Sequence, residues 1–122
     1  MRTPSPPSLY ATATPAPGGY RDVGPAALAA ARGAVRIVDV REPDELTGEL
    51  GRIAGVENAP LQLVMAHAAA WPRDEELVLV CRSGVRSITA ARMLASAGFH
   101  KVMNLAGGML AYRAAGLPVA PR

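Results

Sequence analysis

Short apolar runs alternate with stretches of helical periodicity along most of this chain. Val35–Val40 is a β-branched run and Leu77–Cys81 is almost entirely apolar, which is typical of strands buried on both faces of a sheet. Within Ser87–Ala97 the apolar residues fall on one helical face, and Gly98 stands where a left-handed helix end is expected. Lys101–Leu105 predicts a further strand.

Weaker signals predict the remaining elements. In chain order these are an edge strand at Tyr20–Val23, a helix from Pro25 to about Arg32, a helix start at Pro43, a short strand around Val56–Asn58, a helix over Leu61–Trp71 and a last helix over Met109–Ala115. Strands that alternate with helices at this spacing favour an α/β domain around a parallel sheet with right-handed crossovers. In such sheets ligands bind at the carboxyl ends of the strands, where Asp39 and Cys81 lie.

Residues 1–19 differ in composition from the rest of the chain, being rich in Pro, Ala, Ser and Thr and ending in Gly18-Gly19. Such a stretch buries too little apolar surface to offset the entropy lost when it is ordered. We therefore predict a flexible tail over residues 1–19 and a single domain over residues 20–122.

Composition and charge narrow the classes of partner. Hydrophobic residues make up 50% of the 122-residue chain but aromatic residues only 4%, and the net charge is +3. The basic residues are scattered, with few aromatic side chains to stack on bases, so we expect affinity for small anions rather than for nucleic acid. No apolar stretch is long enough to span a membrane, and prolines interrupt the N-terminus where a secretory signal would lie. These features favour a cytoplasmic protein.

Cys81 is the only cysteine, which excludes an intramolecular disulfide and a thiolate-rich zinc site. It is either an inert buried residue or a nucleophile. The predicted strand before it delivers the thiol to a short glycine-containing loop that runs into a helix N-terminus. Backbone amides in such a loop surround an anion and favour the reactive thiolate. The loop therefore favours the nucleophile, and its sequence is Cys81-Arg82-Ser83-Gly84-Val85-Arg86-Ser87.

Four segments occur in the order seen in rhodanese-like sulfurtransferases, and the chain resembles that family over about residues 20–119. The segments are Val38-Asp39-Val40-Arg41-Glu42-Pro43, the loop Gly51-x-Ile53-x-Gly55-Val56, residues 81–87, and Asn104-Leu105-Ala106-Gly107-Gly108. The resemblance implies a five-stranded parallel sheet flanked by helices on both faces. Arg52 and Ala54 depart from the commoner Gly-His-Ile-Pro-Gly form of the second segment, which leaves the acceptor preference open.

The resemblance implies a two-step sulfur transfer with no cofactor and no metal. Cys81 is the nucleophile and sulfur carrier, and the amides of residues 82–86 cradle the persulfide. The implied donor is a small anion such as thiosulfate, and the acceptor is cyanide in an assay and a cellular thiol or protein in life. The expected assembly is a monomer or weak dimer. The loop residues that would contact substrate are Arg82, Ser83, Gly84, Val85 and Ser87.

Four charged residues in or near the loop have roles to weigh. Arg86 is expected to be catalytic together with Cys81, orienting anionic substrates and closing the loop by bonding its carbonyls, and the alternative is a merely solvated residue of the first helical turn. Arg82 either recruits the donor or points outward. Asp39 and Arg41 are expected to form a supporting ion-pair framework, because an unpaired carboxylate near Cys81 would disfavour the thiolate.

Two other functions compete with sulfur transfer. Phosphatases and arsenate reductases of related fold use a Cys-x5-Arg loop, whereas here the spacing from Cys81 to Arg86 leaves only four residues between them. The shorter loop narrows the anion pocket and disfavours phosphoryl transfer. A rhodanese-like binding or regulatory module, or a sulfur relay without thiosulfate turnover, stays open as the alternative.

Overall fold

Six strands form one mixed sheet in the computed structural model, which describes residues 7–121. The strands are β1 (Thr14–Ala16), β2 (Tyr20–Val23), β3 (Arg36–Asp39), β4 (Glu57–Asn58), β5 (Leu77–Val80) and β6 (Val102–Leu105). Their spatial order is β1-β2-β6-β5-β3-β4, and every neighbouring pair is parallel except β1 with β2. The predicted rhodanese-like α/β fold is confirmed, with one antiparallel strand beyond the five that were expected.

The described residues also form five α-helices and two 3₁₀ helices. The α-helices are α1 (Leu9–Thr12), α2 (Pro25–Ala31), α3 (Val64–Ala68), α4 (Val85–Ser96) and α5 (Gly108–Ala114), and the 3₁₀ helices span Pro43–Thr47 and Leu61–Leu63. The longest, α4, has 12 residues. None of the helices in the described range 7–121 is long and apolar enough to cross a bilayer.

The central strand β5 explains the two-sided core. All four of its residues are buried, and they alternate between two apolar clusters on opposite faces of the sheet. Leu77 and Leu79 pack with α3 and α4 on one face, and Val78 and Val80 pack with α2 and α5 on the other. A strand that is covered on both faces needs an apolar residue at every position, which accounts for the unbroken run in the sequence.

The described part of the predicted tail differs from the prediction. Residues 14–16 pair antiparallel with residues 20–22, so β2 is an interior strand and not the expected edge strand. Tyr10 packs against the core, the guanidinium of Arg21 lies 4.2 Å from the centre of its ring, and its amide donates to Glu76 at 2.8 Å. Backbone pairing and these tertiary contacts order a segment whose composition alone is unfavourable. Residues 1–6 of the predicted tail lie outside the described residues.

Helix boundaries also differ from those predicted. The stretch Leu61–Trp71 forms a 3₁₀ turn and then α3, and it ends before Trp71, whose indole donates to Glu57 at 3.1 Å. Helix α4 starts at Val85, two residues before the predicted stretch. Its end is as predicted, because Gly98 has a φ of +95° and the amide of the next residue, Phe99, bonds back to Leu94 O at 3.1 Å.

Candidate active site

The carboxyl ends of β3 and β5 meet the N-terminus of α4 at one edge of the sheet. Asp39 ends β3, and Cys81 directly follows β5. Gly84 occupies the position before α4 with a left-handed φ of +93°. The chain therefore passes from strand to helix through the four residues 81–84, and this turn keeps the thiol next to the first amides of the helix.

The sulfur of Cys81 is surrounded by hydrogen-bond donors. The residue is 1% exposed, and its Sγ accepts from the amides of Gly84 at 3.1 Å and Ser87 at 3.4 Å. The hydroxyl of Ser87 lies 3.2 Å from the same sulfur. The amide of Ser87 lies one residue beyond the segment 82–86 that was expected to cradle the sulfur.

These contacts change the ionisation of the thiol. Burial raises the pKa of Cys81, but a hydrogen bond from the Ser87 hydroxyl, when that hydroxyl donates to the sulfur, and those from the amides of Ser87, Gly84 and Ser83 favour the thiolate. Their combined effect outweighs burial, so the pKa of the thiol lies below its ordinary value. The site therefore favours the nucleophilic form of the cysteine.

The first turn of α5 holds the loop from behind. The amide of Met109 donates to Cys81 O at 2.8 Å, and that of Leu110 donates to Arg82 O at 3.0 Å. Gly108 permits this approach, since a Cβ at that position would lie 2.5 Å from the Cys81 carbonyl oxygen. The sequence analysis considered Arg86 as the residue that bonds the loop carbonyls. Backbone amides of α5 bind the carbonyls of Cys81 and Arg82 instead.

Arg86 pairs with an acid that the sequence reasoning had not placed in the site. Its guanidinium donates to both oxygens of Glu45, at 2.6 and 2.9 Å. Glu45 lies in the 3₁₀ helix that follows β3, where its carboxylate also accepts from the amide of Glu42 at 3.1 Å. The hydrogen bonds from Arg86 lower the pKa of Glu45 to about 2. Its position in a first helical turn was visible in the sequence, but its partner, 41 residues away, was not.

Asp39 and Arg41 form a second, fully buried pair. Arg41 Nε donates to Asp39 Oδ1 at 2.9 Å and Nη2 to Oδ2 at 2.8 Å, with both side chains at most 1% exposed. Arg41 also donates to Gly51 O at 2.7 Å. The pair joins the end of β3 to the loop that carries Arg52 and Ala54, and it neutralises the Asp39 carboxylate.

A cavity of about 180 Å³ opens beside the loop. Within the described residues, the guanidinium of Arg82 has no ion pair, in contrast to Arg41 and Arg86. Ser83 and Val85 are exposed, and Val85 is 68% exposed. The same range contains no cluster of three His, Cys, Asp or Glu residues that could hold a metal ion. The cavity is lined by Arg41, Glu45, Gly48, Glu49, Leu50 and Arg82.

Two further polar residues that the sequence analysis did not select reach the site from neighbouring strands. Asn104 of β6 accepts from the Ser87 hydroxyl at 2.5 Å, and its amide nitrogen donates to Asp22 of β2 at 3.0 Å. Both residues lie in short strands whose other members are mostly apolar. A polar residue inside an otherwise buried strand is the signal that could have identified Asn104.

We expect Gly108→Ala to lower the free energy of unfolding and also to change the alkylation rate of Cys81, because the added Cβ displaces the loop. A left-handed alanine costs about 1–2 kcal/mol by itself, and contact with the Cys81 and Arg82 backbone adds about 1–3 kcal/mol of overpacking. Gly116→Ala is the matched control, since Gly116 has a φ of +73° in open space. Urea unfolding and the alkylation rate of Cys81 measure both effects. Equal losses of stability with unchanged alkylation in both variants would refute the close-contact explanation.

Glu45→Gln should lose a stabilising pair whose contribution depends on pH. The folded pKa of about 2 lies below the ordinary value of 4.5, so the ionised pair stabilises the protein above about pH 4.5, and its contribution is lost as the pH falls towards 2. At pH 7 we expect the wild type to be more stable by roughly 1 kcal/mol, because the pair is partly exposed. Urea unfolding across this range, with Glu49→Gln as the exposed neighbouring control, measures the difference. A difference that is constant from pH 7 to pH 2.5 would contradict the assignment.

Comparison with known proteins agrees with this architecture. The Rhodanese-like domain family matches residues 25–115. A sulfurtransferase of Allochromatium vinosum is 36% identical over 85 residues, covering 70% of this chain and 78% of that protein. The crystal structure of a rhodanese-related protein from Thermoplasma volcanium superposes with a TM-score of 0.75 at 31% identity, covering 83% of this chain and 98% of that one.

The same domain also occurs in a longer protein with a different role. The HTH-type transcriptional regulator Rv0324 of Mycobacterium tuberculosis is 37% identical over 89 residues, which cover 71% of this chain but only 38% of the regulator. Similarity therefore extends both to a sulfurtransferase and to a regulator. With the family match over residues 25–115 and the shared fold, the chain belongs to the rhodanese-like family.

Proposed function

We propose that this chain is a sulfurtransferase that carries a sulfane sulfur as a persulfide on Cys81, with a small anion such as thiosulfate as donor. The observation that carries the proposal is the position of Sγ, which accepts hydrogen bonds from the Gly84 and Ser87 amides at the N-terminus of α4. These donors stabilise negative charge on sulfur without rearranging. We also propose that the protein is cytoplasmic, because the mechanism needs a free thiol and thiols stay reduced in that compartment.

The reaction has two balanced steps. The Cys81 thiolate attacks the outer sulfur of thiosulfate, a new S–S bond forms, and the old S–S bond breaks as sulfite leaves with its electron pair. A nucleophilic acceptor then attacks the outer sulfur of the persulfide, and the thiolate of Cys81 is the leaving group. With cyanide as acceptor the product is thiocyanate, and a cellular thiol or a protein thiol takes that role in the cell. This is covalent catalysis in which one residue carries the transferred atom.

Arg82 is the residue that we propose meets the anionic donor. Of the three arginines around the cavity or loop, Arg41 is bonded to Asp39 and Arg86 to Glu45. Arg82 lines the cavity and has no carboxylate partner among the described residues. A free guanidinium offers the forked donors that bind oxyanions. We therefore assign donor recruitment to Arg82 and a structural role to Arg86.

The geometry gives little support to phosphoryl transfer. Only three residues separate Cys81 from the start of α4, and the amides of Gly84 in this turn and of Ser87 in α4 already lie within 3.4 Å of the sulfur. Arg86 is bonded to both oxygens of Glu45 and so is not free to hold a tetrahedral oxyanion. A regulatory role, suggested by the similarity to the transcriptional regulator, stays the second candidate.

Thiocyanate formation from thiosulfate and cyanide tests the proposal. We expect turnover by the wild type and none by Cys81→Ala, because the persulfide has no other place to form. The Ala variant should keep the far-UV circular dichroism spectrum of the wild type. Turnover that survives in Cys81→Ala would refute the mechanism, and a folded wild type without turnover would favour the regulatory module.

Arg82→Ala should raise the KM for thiosulfate by about tenfold or more, which corresponds to the loss of one charge-assisted contact. The kcat at saturating thiosulfate should change less, since the sulfur keeps its amide donors. Arg32→Ala removes an equal charge from the exposed end of α2 and is the control. If both variants change KM equally, the effect comes from net charge and the assignment of Arg82 is wrong.

A further inference from the structure

The hydroxyl of Ser87 has one proton and two neighbours that can accept it. Asn104 Oδ1 lies 2.5 Å from the hydroxyl oxygen, and Cys81 Sγ lies 3.2 Å from it on the other side. Ser87 is fully buried and Asn104 is 2% exposed, so bulk water does not supply a substitute partner. The hydroxyl can therefore donate either to the amide or to the sulfur, but not to both.

Asp22 fixes which face of the Asn104 amide points at Ser87. Asp22 and Asn104 are directly paired in register across β2 and β6, and Asn104 Nδ2 donates to Asp22 Oδ1 at 3.0 Å. A carboxylate only accepts hydrogen bonds, so the NH₂ group faces Asp22 and the carbonyl oxygen faces Ser87. In this orientation Asn104 is an acceptor for the Ser87 hydroxyl.

The resulting chain of hydrogen bonds has a direction. When Cys81 is a thiol, its S–H donates to Ser87 Oγ, the hydroxyl donates to Asn104 Oδ1, and the amide donates to Asp22. When the thiol loses its proton, the sulfur anion keeps the amides of Gly84 and Ser87 as donors, and the hydroxyl donates either to the sulfur or to Asn104 Oδ1. A hydroxyl that turns to the sulfur leaves Asn104 Oδ1 buried without a donor, which is unfavourable. The protonated state of Cys81 thus keeps every member satisfied, whereas in the ionised state the sulfur and Asn104 compete for one proton.

We propose that Asp22 and Asn104 are positioning residues that restrain the loss of the proton from Cys81 by competing with its sulfur for the single hydroxyl proton of Ser87. This assignment rests on the proposed function for its role in turnover, because a more readily formed thiolate attacks a donor more often. Its physical content concerns only the ionisation of Cys81 and can be measured without sulfur transfer.

Other charged groups face the site, and the test must leave them in place. The loop itself carries Arg82, the first turn of α4 carries Arg86, which is bonded to Glu45, and the end of β3 carries the buried pair of Asp39 and Arg41. Replacing Asn104 changes no charge, so it isolates the competition for the hydroxyl proton. Replacing Asp22 removes a charge and also releases the amide of Asn104.

The experiment measures the rate of iodoacetamide alkylation of Cys81 as a function of pH in the wild type, Asn104→Ala and Asp22→Ala. We expect both variants to react about tenfold faster than the wild type at a pH where most of the wild-type thiol is protonated. The midpoint, which is the pH at which the alkylation rate reaches half its maximum, should be lower in both variants. At high pH, where all variants are ionised, the variants should react no faster than the wild type, because a thiolate with a lower pKa is a weaker nucleophile. Asp74→Ala removes an exposed charge at the opposite end of β5 and should match the wild type.

The decisive comparison introduces the same substitutions into the Ser87→Ala variant. In this variant the hydroxyl is absent, so adding Asn104→Ala should no longer move the midpoint, and adding Asp22→Ala should move it less than it does in the presence of Ser87. A midpoint that shifts equally with and without Ser87 would overturn the proposal and assign the effect to charge or to loosened packing. An unchanged midpoint in a folded Asn104→Ala would also overturn it. If Asn104→Ala does not fold, Asp22→Ala with and without Ser87 decides, since Asp22 is only partly buried.

Because alkylation needs no sulfur donor, the two proposals fail separately. A shifted midpoint in a protein that forms no thiocyanate would support the role of Asp22 and Asn104 and contradict the sulfurtransferase assignment. Thiocyanate turnover with unshifted midpoints would do the reverse.

Discussion

The site depends on the contact between the loop after Cys81 and the first turn of α5. Two amides of α5 bind the carbonyl oxygens of Cys81 and Arg82, and this holds in place the turn whose Gly84 and Ser87 amides donate to the sulfur. The contact requires Gly108, where a side chain would collide with the loop backbone. The contact therefore explains Gly108, whereas a Cβ at Gly107 would lie 2.6 Å from the side chain of Ala111 in α5. The hydrogen bonds to the Cys81 sulfur thus depend on the packing of two backbone segments.

Charge around the cavity is arranged by pairing. Both Arg41 and Arg86 hold carboxylates, and both pairs fasten the segment after β3 to its surroundings. The buried pair keeps a carboxylate from acting on the thiolate, which an unpaired acid would destabilise. The pairing leaves Arg82 as the cation of the loop without a carboxylate partner in the described residues. A mildly basic chain therefore presents a localised positive group at the cavity without a generally basic surface.

Much of the architecture could be predicted from the sequence, because the parallel strands are covered on both faces and read as apolar runs. The apolar run at Leu77–Val80 predicted β5 correctly for this reason. Gly98 predicted the end of α4 correctly because glycine readily adopts the left-handed φ found there. Features that depend on distant partners could not be predicted. The strand at residues 14–16 needs β2 beside it, and the bond from Arg86 to Glu45 spans 41 residues. The roles of individual site residues stay predictions, because the fold determines which residues lie close together and only the reaction determines what each of them does.

The short strand β1 has a consequence for how the protein behaves among other chains. It covers β2, a longer strand that would otherwise end the sheet with a row of free backbone donors and acceptors. The new outer edge is three residues long and has Pro15, which has no N–H group, at its centre. Such an edge is a poor template for strand addition by a neighbouring molecule. The N-terminal segment thus protects this side of the sheet against edge-to-edge aggregation at high concentration.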